Sequence, residues 1–166
     1  MFINKIKRIT KVSNGEEQKT IEIHYSEGNK DIVFHGYHEP VPEFHKLFDE
    51  LSKHVCLICE FESSLEQVIR VTGVSISYTK SDDDDDVQNI TFTARKRLVA
   101  SPQPLIFNTP LKHSEHQDPG QKLSSDCFVT VEALTACAEE YVEGKREQLD
   151  AINDADEIAE AEAKAT

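Results

Sequence analysis

The cysteines, histidines and clustered aspartates are the residues whose types and spacing could do chemistry. Cys56-Leu57-Ile58-Cys59 is a C-x-x-C with His54 two residues before it. A zinc centre would draw its remaining ligands from His35, His38, His113 or His116. Structural zinc favours a tight knuckle with a polar or glycine turn. Here the pair sits in the stretch from Glu43 to Phe61, whose Phe44, Leu47, Phe48, Leu51, Val55, Ile58 and Cys59 recur at helical spacing. Free cysteine packs as a small hydrophobe, so the expectation is core thiols and no metal. A thioredoxin-like pair needs its attacking thiol at a helix N-terminus, whereas this pair lies at the far end. His113-x-x-His116, with Glu115 beside it, falls in the polar loop from Lys112 to Asp126, where Pro119-Gly120 signals a turn. It reads as a solvated loop.

The run Asp82, Asp83, Asp84, Asp85 and Asp86 fails as a calcium site. An EF-hand loop opening at Asp82 needs glycine at its sixth position and glutamate at its twelfth, where the chain has Val87 and Thr93. Two-metal nuclease sites draw carboxylates from separated elements, so the run reads as a hairpin loop whose charges discourage edge-to-edge strand pairing. No G-x-S-x-G elbow, P-loop or G-x-G-x-x-G occurs. His38-Glu39-Pro40 opens a zinc-deaminase pattern, but Val55 stands where the matching P-C-x-x-C needs proline. The expectation is a non-catalytic protein without a cofactor.

The 166 residues suit one domain, and their net charge of −13 is unevenly placed. Residues 1–60 hold 8 Lys/Arg against 10 Asp/Glu, residues 61–138 hold 7 against 11, and residues 139–166 hold 3 against 10. The Asp run and the last segment carry −12 of the −13, so the rest is nearly neutral. No window of ~18 apolar residues could span a bilayer. Met1-Phe2-Ile3-Asn4-Lys5 has neither an apolar signal core nor a small-residue cleavage site. The expected compartment is the cytoplasm, with reduced thiols. A general duplex-DNA coat would need far more cations.

The elements that position these residues begin with a strand meander. Phe2 to Val12 places Ile3, Ile6, Ile9 and Val12 at threefold spacing, but its β-branched content and the Asn14-Gly15 hairpin signal favour a strand. Thr20 to Tyr25 alternates with period two, a turn follows at Ser26 to Asn29, and Asp31 to Tyr37 is a third strand. Pro40 and Pro42 precede a helix over about residues 43–60. In Gln67 to Thr79 the apolar phase shifts at Gly73, as at a β-bulge. Asn89 to Val99 alternates again, placing Arg95 and Arg97 together on its polar face. An extended segment, Pro104 to Pro110, precedes a second helix that starts near Thr130 and follows Val131, Leu134, Ala138, Tyr141 and Val142 on to Leu149 and Ile152. The expected architecture is α+β: a single domain over residues 1–152, with a mostly antiparallel sheet of five or six strands and two helices. Residues 153–166 form an acidic tail, as a frayed helix or disordered chain.

Two binding modes fit this layout. In the first, single-stranded nucleic acid lies on the sheet, held by cations and aromatic stacking. The cations are Lys5, Lys7, Arg8, Lys11, Arg70, Arg95, Lys96 and Arg97; the stackers are Tyr25, Phe34, Tyr37 and Tyr78. The acidic tail would occupy the basic groove when nucleic acid is absent. In the second, Asp82 to Asp86 with Asp154, Asp156, Glu157, Glu160 and Glu162 imitate a phosphate backbone and engage a partner protein.

Val71-Thr72-Gly73-Val74, the acidic turn, Ile90 to Lys96, and Pro104-Leu105-Ile106-Phe107-Asn108-Thr109-Pro110 resemble a family of small, mostly uncharacterised early-region proteins of tailed phages and prophages. The likeness covers about residues 68–111. It transfers no catalytic residue. It implies a phage origin, a host-cell cytoplasmic setting and a role in DNA replication, recombination or host takeover. The leading expectation is an accessory protein of phage DNA metabolism that binds single strands. The rival is an inhibitor of a host defence or nucleic-acid enzyme, with an enzyme third. The sheet edges make a dimer plausible.

Overall fold

The computed structural model describes residues 1–36 and 42–165, with side chains through Gly144 and at Ala155, Ile158 and Ala159. Strand β1 (Phe2–Ser13) turns into β2 (Glu16–Glu27) through Asn14 and Gly15, both at positive φ, and Gly28 turns β2 into β3 (Lys30–Gly36). Helix α1 (Pro42–Ile58) and a short 3-10 turn (Ser63–Val68) lead to β4 (Ile69–Lys80). Then come β5 (Asp86–Lys96), β6 (Leu105–Asn108), β7 (Lys112–His113) and helix α2 (Ser125–Ala165). The strands form one antiparallel sheet in the order β3-β2-β1-β4-β5-β6, with β7 also on β5. The α+β architecture follows the sequence pattern, with more strands than the five or six expected because β7 is two residues long and carries no periodicity of its own.

Two bulges set which side chains face inward. Register shifts between Ile3 and Lys5 in β1, so Ile3 and Ile6 both face the core despite their threefold spacing. Past the bulge the alternation of a strand resumes, which turns Arg8 inward and leaves Lys5, Lys7 and Ile9 on the opposite face. The second shift, between Val71 and Gly73, is the bulge foreseen at the change of apolar phase.

The core lies between the inward sheet face and both helices. Ile21, Ile23, Val74, Ile76, Ile90 and Phe92 meet Phe44, Phe48, Leu51 and Val55 of α1 and Cys127, Val131, Leu134, Ala138 and Val142 of α2. α2 starts earlier than the sequence pattern indicated, because Ser124 caps it: its hydroxyl accepts from the Cys127 amide at 3.3 Å. Gly36 fits beneath Tyr141, where an added Cβ would overlap the ring. Tyr141 packs edgewise against Phe34 and Phe44. No helix among the described residues is long and apolar enough to cross a membrane.

A cationic cleft on the helix-free face

The cleft arises where β1 and β4 part. They pair only from Lys5 opposite Ser75 to Lys7 opposite Gly73. Beyond that point β1 continues with β2 to Ser13, while Thr72 is the extra residue that bends β4 away. Side chains take over from the missing ladder. Arg8 Nε donates to the Val71 carbonyl at 2.7 Å, Ser52 Oγ donates to the Ile69 carbonyl at 3.1 Å, and Arg70 Nη2 reaches Thr10 Oγ1 at 3.5 Å. The opening holds about 590 Å³ and is lined by Lys5, Lys7, Arg70 and Arg95, with Thr10 and Val12 on the hairpin side; among the described residues no carboxylate lines it. Gly73, without a side chain, leaves the floor bare between Lys7 and Thr93.

Among the described residues only Lys7 of these four cations has an ion pair, to Glu22 at 3.7 Å; Lys5 and Lys7 are half-buried, Arg70 and Arg95 exposed. Glu22 also meets His24 Nε2 at 2.5 Å and His35 Nδ1 at 3.4 Å. The bond from His24 holds the Glu22 carboxyl below its ordinary range, opposed by burial and aided by Lys7 and both histidines. A depressed carboxyl pKa adds stability that is present above the unfolded value and is lost as pH falls through the native one. Stability should therefore drop as the protein is taken from about pH 5 to about pH 3, and Glu22→Gln should flatten that drop in urea titrations. An unchanged pH dependence in the variant would remove Glu22 from this role.

Arg8 is corrected by the structure. It is not an exposed cation: its guanidinium is buried, pairs with Asp49 Oδ1 at 2.9 Å and lies 5.0 Å over the Phe48 ring. Burial lowers its pKa, Asp49 opposes this, and repulsion from Arg70 adds to it. Lys11 faces a smaller adjoining depression with Glu22 and His35. Lys96 turns to the helix side, its Nζ 5.7 Å over the Phe61 ring, and Arg97 lies past the end of β5, its amide bonded to the Val68 carbonyl. Arg97 therefore does not continue the polar row begun by Arg95.

The aromatic residues do not line this face. Tyr25 is buried in the core at 2% exposure. Tyr78 packs edgewise on Phe2 and donates its hydroxyl to the Ile3 carbonyl at 3.0 Å. Phe34 packs on Tyr141. Tyr37 lies outside the described residues, as do His38, Glu39 and Pro40, and so do the side chains of Asp154, Asp156, Glu157, Glu160 and Glu162.

The remaining candidates lie outside the lining of the cleft. In the Asp loop, Ser81 bonds Asp84 and Asp85, while Asp86 pairs with Lys80 at 2.8 Å, leaving Asp82 to Asp86 exposed. His113 and His116 stack at 5.1 Å, the first bonded to Asn89 and the second accepting from the Asp118 amide. Among the described residues no three His, Cys, Asp or Glu side chains converge on a possible metal position. Cys56 and Cys59 have thiols pushed up by burial, as does Cys137, and burial pushes Cys127 up to about 12. Native Cys127 should consequently resist iodoacetamide at about pH 8 and react once urea unfolds the chain, since the thiolate is the nucleophile. Fast labelling of folded protein at Cys127, read by peptide mass spectrometry, would contradict its burial.

Among the described residues the cleft thus combines fixed positive charge, a bare floor and an acid-free lining on a face that neither α1 nor α2 packs against. No protein-family model, curated protein or solved structure matches the chain.

Proposed function

We propose that the chain is a non-catalytic accessory protein of phage DNA replication or recombination that binds single-stranded DNA. The observation that carries this reading is the acid-free cleft lined by Lys5, Lys7, Arg70 and Arg95. Cations on one open surface attract a phosphate backbone and release its counterions. Because Tyr25 is in the core and Tyr78 is committed to Ile3 and Phe2, the strand is held by its backbone rather than by stacked bases. Such a contact accepts any base sequence.

Fluorescence anisotropy with a labelled oligonucleotide tests this. Binding is expected at ~50 mM salt, with a log–log salt slope of about −3 if all four cations meet phosphates. No binding at that salt, by the full chain or by a chain ending at residue 152, would sink the proposal. The rival role, an inhibitor that docks through Asp82 to Asp86, predicts a protein partner that is lost when those residues become asparagine.

A further inference from the structure

The cleft is not uniform along its length. Arg70 and Arg95 stand directly opposite each other across β4 and β5. Like charges so placed have Cβ atoms about 4.5–5.5 Å apart and destabilise an antiparallel pair. Neither has an ion pair with any described carboxylate, and the bond of Arg70 to Thr10 brings a neutral hydroxyl. Arg8 adds a third guanidinium beneath them. Its Nη2 is buried with no hydrogen-bond partner among the described residues, and its charge works against that of Arg70. The field reaches α1, where His45 is pushed down first by burial and then by Arg8, Lys19 and Arg70, with Asp49 opposing. Asp49 is the carboxylate paired in this cluster, and its side chain is 69% exposed.

Three guanidiniums with one solvent-facing carboxylate form an arrangement that a bound anion would relieve. We infer that the Arg70–Arg95 end of the cleft is a subsite for a terminal phosphomonoester, the phosphorylated end of a nucleic-acid strand, and prefers it to an internal phosphodiester. The inference rests on the strand-binding reading of the cleft. A phosphomonoester carries about −1.5 to −2 charge at neutral pH and three acceptor oxygens. An internal diester carries a single charge and fewer free oxygens. Two guanidinium forks approaching from adjacent strands can each donate two parallel bonds to such a group. Lysines would attract it as point charges without that geometry, and Lys7 is already shared with Glu22.

The test uses the full chain and three versions of one labelled thymidine oligonucleotide: hydroxyl at both ends, 5′-phosphate, and 3′-phosphate. At least one phosphorylated form should bind about tenfold tighter than the hydroxyl form, the factor expected for a charge-assisted contact, and the better end gives the strand polarity. Arg95→Gln and Arg70→Gln should each abolish that preference, while the hydroxyl oligonucleotide still binds with the weaker affinity of a cleft that has lost one phosphate contact. As a readout independent of ligand, each variant should keep or raise the thermal midpoint of the free protein, because it removes a like-charge neighbour. Equal binding of all three oligonucleotides would overturn the subsite and leave the strand-binding function standing. Failure of all three to bind at ~50 mM salt would overturn both.

Discussion

Replacing Lys7, Arg70 and Arg95 together with glutamine is expected to abolish oligonucleotide binding at ~50 mM salt while the fold persists. The three side chains leave the sheet on the face that neither helix covers, and none of them belongs to the core. Circular dichroism should consequently show native secondary structure and a cooperative melt close to the parent's, because loss of the Lys7–Glu22 pair is offset by removal of the Arg70–Arg95 repulsion. Single replacements should weaken binding in steps, and each should lower the steepness of the salt slope by about 0.7, the value for one lost contact with a single strand. The slope is the more telling readout. A variant that lost affinity with its salt slope intact would have been altered somewhere other than at a phosphate contact. If the triple variant binds as tightly as the parent, the cleft does not hold the strand.

The largest effect on stability is expected from Phe92→Ala. Phe92 is fully buried at the middle of β5 and faces Val74 across the β4 ladder. Its backbone is clamped from the other side: the Phe92 amide donates to Thr109 Oγ1 at 3.0 Å, and the Thr109 amide donates back to the Phe92 carbonyl at 2.9 Å. Such a clamp limits how far the strand can move to fill a void. The substitution should cost about 3–5 kcal/mol, a large part of the ~5–15 kcal/mol that holds a domain together. In urea the midpoint should fall steeply with little change in slope. A loss below about 1 kcal/mol would mean that the core around β5 collapses freely onto the space.

The elements were legible where one periodicity ran unbroken. Helix α1 declared itself through Phe44, Leu47, Phe48, Leu51 and Val55, and the hairpins through Asn14-Gly15 and Gly28-Asn29. The Gly73 bulge could be read because it breaks the apolar phase of β4. Its counterpart in β1 could not, since Ile3, Ile6 and Ile9 look alike at threefold spacing and only the sheet partner reveals the extra residue. That hidden shift is why the sequence pattern does not separate Arg8, which points at α1, from the neighbouring Lys5 and Lys7. The start of α2 was available from Ser124-Ser125-Asp126, a capping pattern overshadowed by the polar loop before it. For the cleft, the sequence supplied the right residue types on β1, β4 and β5. It did not supply the divergence of β1 from β4 that gathers Lys7, Arg70 and Arg95 around one opening. Aromatic residues misled for a plain reason: a tyrosine in a strand serves equally as a stacking surface or as core, and pairing of Tyr25 opposite Ile3 and Ile32 placed it in the core.

Thr72 gives the cleft an unusual kind of dependence. Val71 lies opposite Ala94 and Gly73 lies opposite Thr93, so removing Thr72 would leave consecutive residues of β4 facing consecutive residues of β5. Every inward side chain would stay inward, and β4 would be free to run straight alongside β1. The opening would then close without the loss of a single cation. Its presence is thus governed by chain length rather than by residue identity: one codon's insertion or deletion would switch it on or off, while most substitutions would only tune it.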